Sequence, residues 1–575
     1  MEMEKTKSNN NQKALGFLLI LFLSVTYKDM VLDPYLKSRN PESSVASSVN
    51  QTAASVNQIS APAVQSAQVQ TLPAGNFPSV GQASIAATTA FPTDSQIDQA
   101  GFVIFENDTV FLRVSLLGGR VREFRLKKYL ERNSKDSPLY NIISHIDSQP
   151  LPLGVTTGAE NDAWVLYAKE DLAPNKINLV GQLHDGRKIT KSLELTPKNY
   201  LLDVAVTLSA APKDGARMTL EWTNFFAKDS AAFKDSQNTG GFVWFDGAKA
   251  YRETYSGFKV AEKVFAEARW ISTTDHYFVA SIITPSAPGI ARAQIQGDLL
   301  SISMTGESER GNFQLLAAPK SYKILSALGS GLERNIDFGV TGFLSAPLLM
   351  MLNMLYGFLG NFGLAIVALT ITVRLLLLPL NAASFRSMKA MQDLQPEVQK
   401  LKESIQDKQQ QQVAMMALYK KKGVNPLGGC LPMVCQLPIF LGLYSALLLS
   451  VGLRHAPFAI WIRDLSAPEQ LMFGTVGIPV MVVLFVISML YQQWSTPSTM
   501  DETQKKILLV MPVIFGFAFF IHMPAGLTLY WLTSNIISIV QMKQLRKAGK
   551  HNAFLITTAV AGLVFVFAFV LTKIS

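Results

Sequence analysis

Cysteine is nearly missing from this chain of 575 residues, and the two present, Cys430 and Cys435, both sit at the start of one apolar run. Nothing upstream can therefore carry a disulfide framework. The C-x4-C spacing is half of a metal site at most. No His, Asp or Glu stands near it in sequence, so small buried thiols are the favoured reading and no metal or other cofactor is expected. Charge is scarce as well. Only 16% of residues are Asp, Glu, Lys or Arg while 49% are hydrophobic, against roughly 25% charged in an average soluble domain. The long apolar segments after residue 360 contain no acidic residue, which disfavours a proton or ion pump. There is no P-loop, no G-x-S-x-G, no pair of intramembrane aspartates and no internal repeat. Nucleotide hydrolysis, serine hydrolysis, intramembrane proteolysis and repeat-built solute transport each lack their signature, and the chain does not read as an enzyme. The net charge of +10 points to nucleic acid only when the basic residues cluster on a folded soluble face. Here many lie between apolar segments, where they set membrane topology, so no direct nucleic-acid recognition is expected.

What is present reads as a multi-pass α-helical membrane protein with a large extracytoplasmic β-sandwich domain and an N-terminal transmembrane anchor. Residues 1–37 run from a polar tip with Lys5, Lys7 and Lys13 into the apolar stretch Ala14–Tyr27, interrupted at Lys28-Asp29. No A-x-A cleavage site follows, so an uncleaved anchor with a cytoplasmic N-terminus is preferred to a cleaved signal peptide. Residues 38–98 read as a disordered linker, because Ser43–Thr93 has no charged residue and too few large apolar side chains to offset its ordering entropy. Residues 99–340 switch to period two, as in Phe111-Leu-Arg-Val-Ser-Leu, Lys191-Ser-Leu-Glu-Leu, Leu202-Asp-Val-Ala-Val-Thr-Leu and Leu300-Ser-Ile-Ser-Met. Turn pairs Gly118-Gly119, Asp185-Gly186 and Asp246-Gly247 separate the runs, which predicts a β-sandwich without catalytic motifs. Residues 341–361 predict an interfacial amphipathic helix, Leu- and Met-rich but broken by Pro347 and Asn353.

Residues 362–550 carry apolar runs near the ~20 residues that cross a bilayer: Phe362–Leu380, Leu431–Val451, Val476–Tyr491, Ile507–Met523 and Gly526–Met542. A last run, Ala553–Leu571 within 551–575, is a further candidate. The loop 381–430 contains eight Lys or Arg, whereas Gly452–Thr475 contains only Arg454 and Arg463. The first loop is therefore assigned to the cytoplasm and the β-domain to the opposite side. Within that loop, Phe385–Tyr419 predicts a charged two-helix hairpin.

Arg374 is the only ionisable side chain well inside any of these five crossings. An arginine near a helix centre costs about 2.5–3.5 kcal/mol on insertion scales. It either snorkels to the headgroups as a topology anchor or faces a wet cavity that meets an acidic ligand. Helical spacing favours the cavity. Thr370 and Asn381 share its stripe, the last crossing shows a polar stripe of Trp531, Ser534, Asn535, Ser538 and Gln541, and Gln436 opens another crossing with Tyr444 two turns on. Three helices with one polar face each can line a groove, because buried polar groups need water or partners.

Several segments resemble the bacterial YidC/Oxa/Alb membrane protein insertase family in its Gram-negative form. They are Thr372-Val-Arg-Leu-Leu-Leu-Leu-Pro-Leu, Leu394-Gln-Pro-Glu, and Asn425-Pro-Leu-Gly-Gly-Cys-Leu-Pro-Met-Val-Cys-Gln-Leu-Pro-Ile-Phe-Leu-Gly-Leu-Tyr. Further on come Ala456-Pro-Phe-Ala-Ile-Trp-Ile-Arg-Asp-Leu-Ser, Met511-Pro-Val-Ile-Phe and Pro524-Ala-Gly-Leu-Thr-Leu-Tyr-Trp-Leu-Thr-Ser-Asn. They occur in order from about Thr341 to Lys550. The resemblance implies a five-helix insertase core around a hydrophilic groove, open to the cytoplasm and to lipid and closed on the outer side. It assigns Arg374 the role of attracting an acidic substrate tail. It also implies a substrate slide along Leu431–Val451 and Ile507–Met523, hence Pro438, Phe440, Leu441, Tyr444, Met511 and Phe515. The hairpin, with Leu394, Pro396, Glu397 and Tyr419, is implied to receive substrates. Implied partners are nascent membrane proteins, ribosome–nascent chain complexes, the Sec translocon and the lipid bilayer of the bacterial inner membrane. The function expected is insertion, folding and assembly of membrane proteins. A passive membrane chaperone and, further off, a small-solute transporter are the alternatives. Two features depart from the family pattern: the basic stretch Lys543–Lys550 is short and followed by an apolar run, and the first anchor is short.

Overall fold

The computed structural model describes residues 91–574 except 135, 213–214, 226–239, 259, 426–430, 474–475, 496–501 and 548–549. The anchor expected in 1–37 and the linker up to Ala90 lie outside the described residues. The chain divides into two units, Met1–Val340 and Thr341–Ser575.

The first unit is folded from Phe91, earlier than the boundary expected at 99. Helix α1 (Asp94–Ala100) opens with a capping box in which Thr93 and Gln96 satisfy each other's backbone N–H. The Asp94 carboxylate then bridges Arg122 at 2.7 Å and His145 at 2.9 Å. Those partners are distant in sequence, so the composition of the linker could not reveal them.

All strand pairings described in this unit are antiparallel. A four-stranded meander covers Phe102–Asn141, and a nine-stranded and a six-stranded sheet follow. The nine-stranded sheet meets the six-stranded one through Trp270–Thr274, Phe278–Ile283 and Arg310–Pro319, opposite Met218–Phe225, Gly289–Gln296 and Leu299–Thr305. Trp222, Trp270, Phe242 and Phe313 are fully buried there. Each large apolar side chain removed from water contributes about 1.5–3 kcal/mol. The period-two runs read from the sequence fall in strands, as in Lys188–Leu195 and Leu201–Leu208.

One inward position of Lys188–Leu195 holds a charge. Lys191 is wholly buried and donates to the carbonyls of Gly118 at 2.9 Å, Gly119 at 3.2 Å and Leu153 at 2.8 Å, and it pairs with Asp162. Asp162 also meets Arg120 at 3.3 Å and accepts from Tyr167 Oη at 3.1 Å. A buried ammonium is tolerated only when paired and hydrogen-bonded in this way. Burial still pushes the Lys191 ammonium down to about 8, with Asp162 opposing. Gly119 has φ +54°, and a Cβ there would lie 3.0 Å from the Tyr167 ring and 3.2 Å from Lys191, so glycine is what lets the turn close over the ion pair.

The second unit is helical: α2 (Gly342–Leu359), α3 (Phe362–Leu376), α4 (Leu378–Asp393), α5 (Gln395–Ser404), α6 (Lys408–Lys421), α7 (Leu431–Leu448), α8 (Val480–Ser495), α9 (Glu502–Ala518), α10 (Ala525–Lys547) and α11 (Lys550–Ile574). Helix α10 is central and packs against α3, α8 and α11, touching α7 more lightly. Helix α2 packs against α3 and α7, burying Leu348, Leu349 and Leu352 while Phe343, Met350, Met354 and Phe358 stay exposed.

Several expected boundaries are corrected. The run Phe362–Leu380 is not one straight helix: it bends by 57° between α3 and α4. Pro379 lacks an N–H and clashes with the carbonyl one turn back, so the helix breaks at Leu377. Val476–Tyr491 starts as a short strand, Val476–Ile478 paired with Leu471–Phe473, and turns helical only after Pro479, which holds the residue before it extended. The first hairpin helix breaks at Leu394, just before Pro396. By length and composition, Gly339–Leu359 is long and apolar enough to cross a membrane, and the bent pair α3–α4 is either one broken span or a re-entrant loop. Gln436–Leu448, Val480–Ser495, Leu509–His522 and Thr558–Lys573 are shorter apolar helices.

Candidate functional site

The site is built on the faces of α3, α7, α8 and α10. Arg374, two residues before the end of α3, directs its guanidinium at Ser534 of α10, with Nε at 2.7 Å from Oγ and Nη2 bonded to the same oxygen. Among the described residues no carboxylate pairs with this arginine. A hydroxyl lone pair orients a guanidinium but does not neutralise it.

Around that pair the polar side chains of the helices meet in twos. Gln436 of α7 donates to Tyr530 Oη at 2.6 Å. Asn535 donates to Ser488 Oγ of α8 at 3.0 Å. Asn381, on α4 beyond the bend, reaches Gln541 Oε1 at 3.5 Å. Of the residues expected in the groove, Arg374, Asn381 and Gln436 are thus each brought to a polar side chain of α10. Tyr530 and Ser488 escaped the sequence reading. Tyr530 stands one turn before Ser534 on the same face, a signal that was available, whereas a lone Ser488 in an apolar run gave none.

Two expected groove residues are placed otherwise. Thr370 is fully buried and donates to the carbonyl of Ile366 in its own helix at 2.7 Å, because a hydroxyl in an apolar helix interior finds the preceding turn first. Trp531 stands in an aromatic cluster with Phe440 at 5.1 Å, Phe520 at 5.4 Å and Phe485 at 5.7 Å. Ser538 is half-buried on α10.

The expected slide residues form an apolar surface. Pro438 is exposed, and Phe440, Leu441 and Tyr444 are half-buried along α7. Among its described residues, helix α9 buries Pro512 and Gly516, and Phe520 continues that face beyond its end. Met511, Ile514 and Phe515 are exposed. A Cβ on Gly516 would come within 2.2 Å of Val486, so the glycine sets how closely α9 meets α8. In the hairpin, Leu394 is buried at the junction of α4 and α5, Pro396 is the second residue of α5, and Tyr419 is half-buried on α6. Glu397 pairs with Lys422 at 2.6 Å and ties the two arms. Among the described residues no group of His, Cys, Asp or Glu could hold a metal.

Comparison with known proteins agrees with both units. Residues 354–552 match the family described as 60Kd inner membrane protein, and residues 103–351 match the YidC periplasmic domain. The membrane protein insertase YidC of Syntrophus aciditrophicus is 34% identical over 75% of this chain and 82% of its own length. That of Cupriavidus necator is 32% identical over 91% of this chain and 96% of its own. That of Oleidesulfovibrio alaskensis is 35% identical over 74% and 82%. A β-rich first unit, a helical second unit carrying a buried polar constellation, and relatives of this identity over most of their length converge: the chain belongs to the YidC family of inner-membrane protein insertases.

Proposed function

We propose that the second unit is a five-helix core, α3, α7, α8, α9 and α10, that inserts single-span and multi-span proteins through a polar groove centred on Arg374. The observation that carries this is the Arg374–Ser534 pair: a guanidinium held inside a helical bundle by a hydroxyl, with its charge uncompensated by any described carboxylate. An acidic substrate tail supplies the missing charge. Hydrogen bonds to charged groups are worth about 1.5–3 kcal/mol, enough to draw a tail into a wet half-channel and weak enough to release it. The apolar segment that follows leaves along the exposed surfaces of α7 and α9, driven by partition into lipid. No nucleotide is required.

In this reading residues 381–430 are cytoplasmic. The hairpin α5–α6 receives chains from the ribosome, and the protein works alone or beside the Sec translocon. The first unit is periplasmic, and 1–37 anchors the N-terminus. Residues 341–361 lie at the interface, and 551–575 add a further apolar helix. The lysines at 400, 402, 420, 421 and 422 give the hairpin a basic surface suited to anionic partners.

A photo-crosslinking amino acid at Ser538, beside the Arg374–Ser534 pair, tests this. Adducts to the acidic tail of a stalled single-span substrate are expected at Ser538, and adducts to its apolar segment at Phe515. Adducts at Phe515 alone would remove the groove from the pathway and leave a lipid-side chaperone.

A further inference from the structure

The connection between α7 and α8 holds the starts of three groove helices at once. At α3, Asn361 donates to the carbonyls of Pro457 and Phe458 at 3.4 and 3.3 Å. The Phe458 ring lies so close to Gly363 that a Cβ there would come within 2.1 Å. At α10, the N–H groups of Ala525 and Gly526 donate to the carbonyls of Ala467 and Leu465 at 2.8 and 2.9 Å. At α8 the link is a side chain. Glu469, 7% exposed, accepts from the N–H of Val480 at 3.1 Å and of Met481 at 3.0 Å, and also from Trp461 Nε1. The loop has a small core of its own, with Phe458, Ala459, Ile462 and Leu465 buried, and Asp464 caps its turn through His455 N and Ser466 N.

Because α3 leads at its other end into the hairpin, all three clamped helix starts lie at the end of the bundle away from the hairpin. Helix α8 is held at that end by a carboxylate of the loop, and it brings Ser488 and Phe485 to Asn535 and Trp531. A carboxylate at a helix start satisfies free N–H groups and complements the positive end of the helix dipole. Burial raises the Glu469 carboxyl above its ordinary range, while the Met481, Trp461 and Val480 donors hold it down.

We propose that Glu469 is the pin of an outer seal: its carboxylate locks the start of α8 to the loop that clamps α3 and α10, and so keeps the groove shut on the side opposite the hairpin. Glu469 touches no substrate; it is a positioning residue. The inference rests on the groove reading above.

The test uses the full chain with Cys430→Ser, Cys435→Ser and Ser488→Cys, and a membrane-impermeant maleimide added to spheroplasts or to inverted vesicles. Ser488 stands about 12 Å along α8 from its start. With Glu469 intact, labelling is expected from the cytoplasmic face and to be slow from the outer face. Glu469→Ala removes both helix-start acceptors and is expected to raise the outer rate about tenfold with the cytoplasmic rate unchanged. Glu469→Gln keeps an acceptor oxygen and is expected to fall between. An outer rate equal to that of the unchanged protein overturns the seal, and so does a parallel rise from both faces, which marks general loosening. Failure of Ser488→Cys to label from the cytoplasmic face with Glu469 intact overturns the groove reading instead.

Discussion

Arg374 and Ser534 stand 160 positions apart and share one hydroxyl oxygen through two guanidinium nitrogens, Nε at 2.7 Å and Nη2 on the same Oγ. The serine aims the arginine without cancelling its charge, which separates the effects of changing either residue. Ser534→Ala leaves the charge in place and is expected to lower insertion of an acid-tailed substrate less than about threefold, while costing roughly 1–2 kcal/mol of stability. Arg374→Lys keeps charge but loses the planar fork, so insertion falls to an intermediate level. Initial rates and thermal unfolding of the two variants in one detergent check the separation.

Helix α9 offers a contrast between packing and slide. Phe515 is 49% exposed and touches the core little. Phe515→Ala, which puts no charge against lipid, is expected to cost less than about 1 kcal/mol of thermal stability while slowing insertion of apolar segments. Gly516→Leu drives a side chain into Val486 and forces α9 from α8, at a cost of about 1–3 kcal/mol. Equal stability losses in both variants would contradict the assignment of faces.

The first unit carries two lysines that burial pushes down to about 8: Lys191, and Lys320, which donates to the Asp275 carbonyl at 2.9 Å. Unfolded, each holds its proton up to the ordinary lysine value of 10.5. Between these limits the unfolded chain binds more protons, so stability rises with pH through this window and the gain is absent below about pH 8. Urea titration of residues 91–340 at pH 7.5 and 9.5 is expected to show the higher midpoint at 9.5, and Lys320→Gln to flatten the difference. Lys191→Met strips Asp162 of its closest cation and is expected to cost about 3 kcal/mol.

Helix α11 packs against α3 and α10. Its contact face includes the small, buried Ala561 and Ala568, while Leu563, Val566, Phe567 and Val570 are exposed. Small residues on one face and large apolar ones on the other suit a helix that packs in lipid. A reporter fused after Ser575 is expected to be active on the periplasmic side. Activity on the cytoplasmic side would place α11 along the membrane surface.

Much of this was legible in the sequence because it rests on periodicity. Period two in Lys188–Leu195 and Leu201–Leu208 marked strands, and the polar stripe Ser534–Asn535–Gln541 marked side chains that meet α3, α8 and α4. What stayed hidden depends on chain reversal. Glu469 reads as an ordinary loop carboxylate until the turn of the chain sets it on the N–H groups of Val480 and Met481. The buried Lys191 stands at an inward position of its strand, yet its partner Asp162 belongs to another part of the chain. Thr370 sits on the expected stripe, but its hydroxyl is held by its own helix, a local competition that spacing does not register. Pro379 was in plain view, and the 57° bend it imposes separates Asn381 from the straight stripe that spacing predicted.

The central claim is that the charge of Arg374 draws substrate into the groove, and insertion of a single-span protein with an acidic N-terminal tail into liposomes tests it most directly. Three preparations are compared: liposomes alone, liposomes with the protein, and liposomes with Arg374→Ala. Strong insertion by the unchanged protein and a loss of about tenfold or more in the variant, the scale of one lost charge-assisted contact, is the expected result. Equal insertion by the two would contradict it and reduce Arg374 to a topology anchor, with apolar sliding as the mechanism.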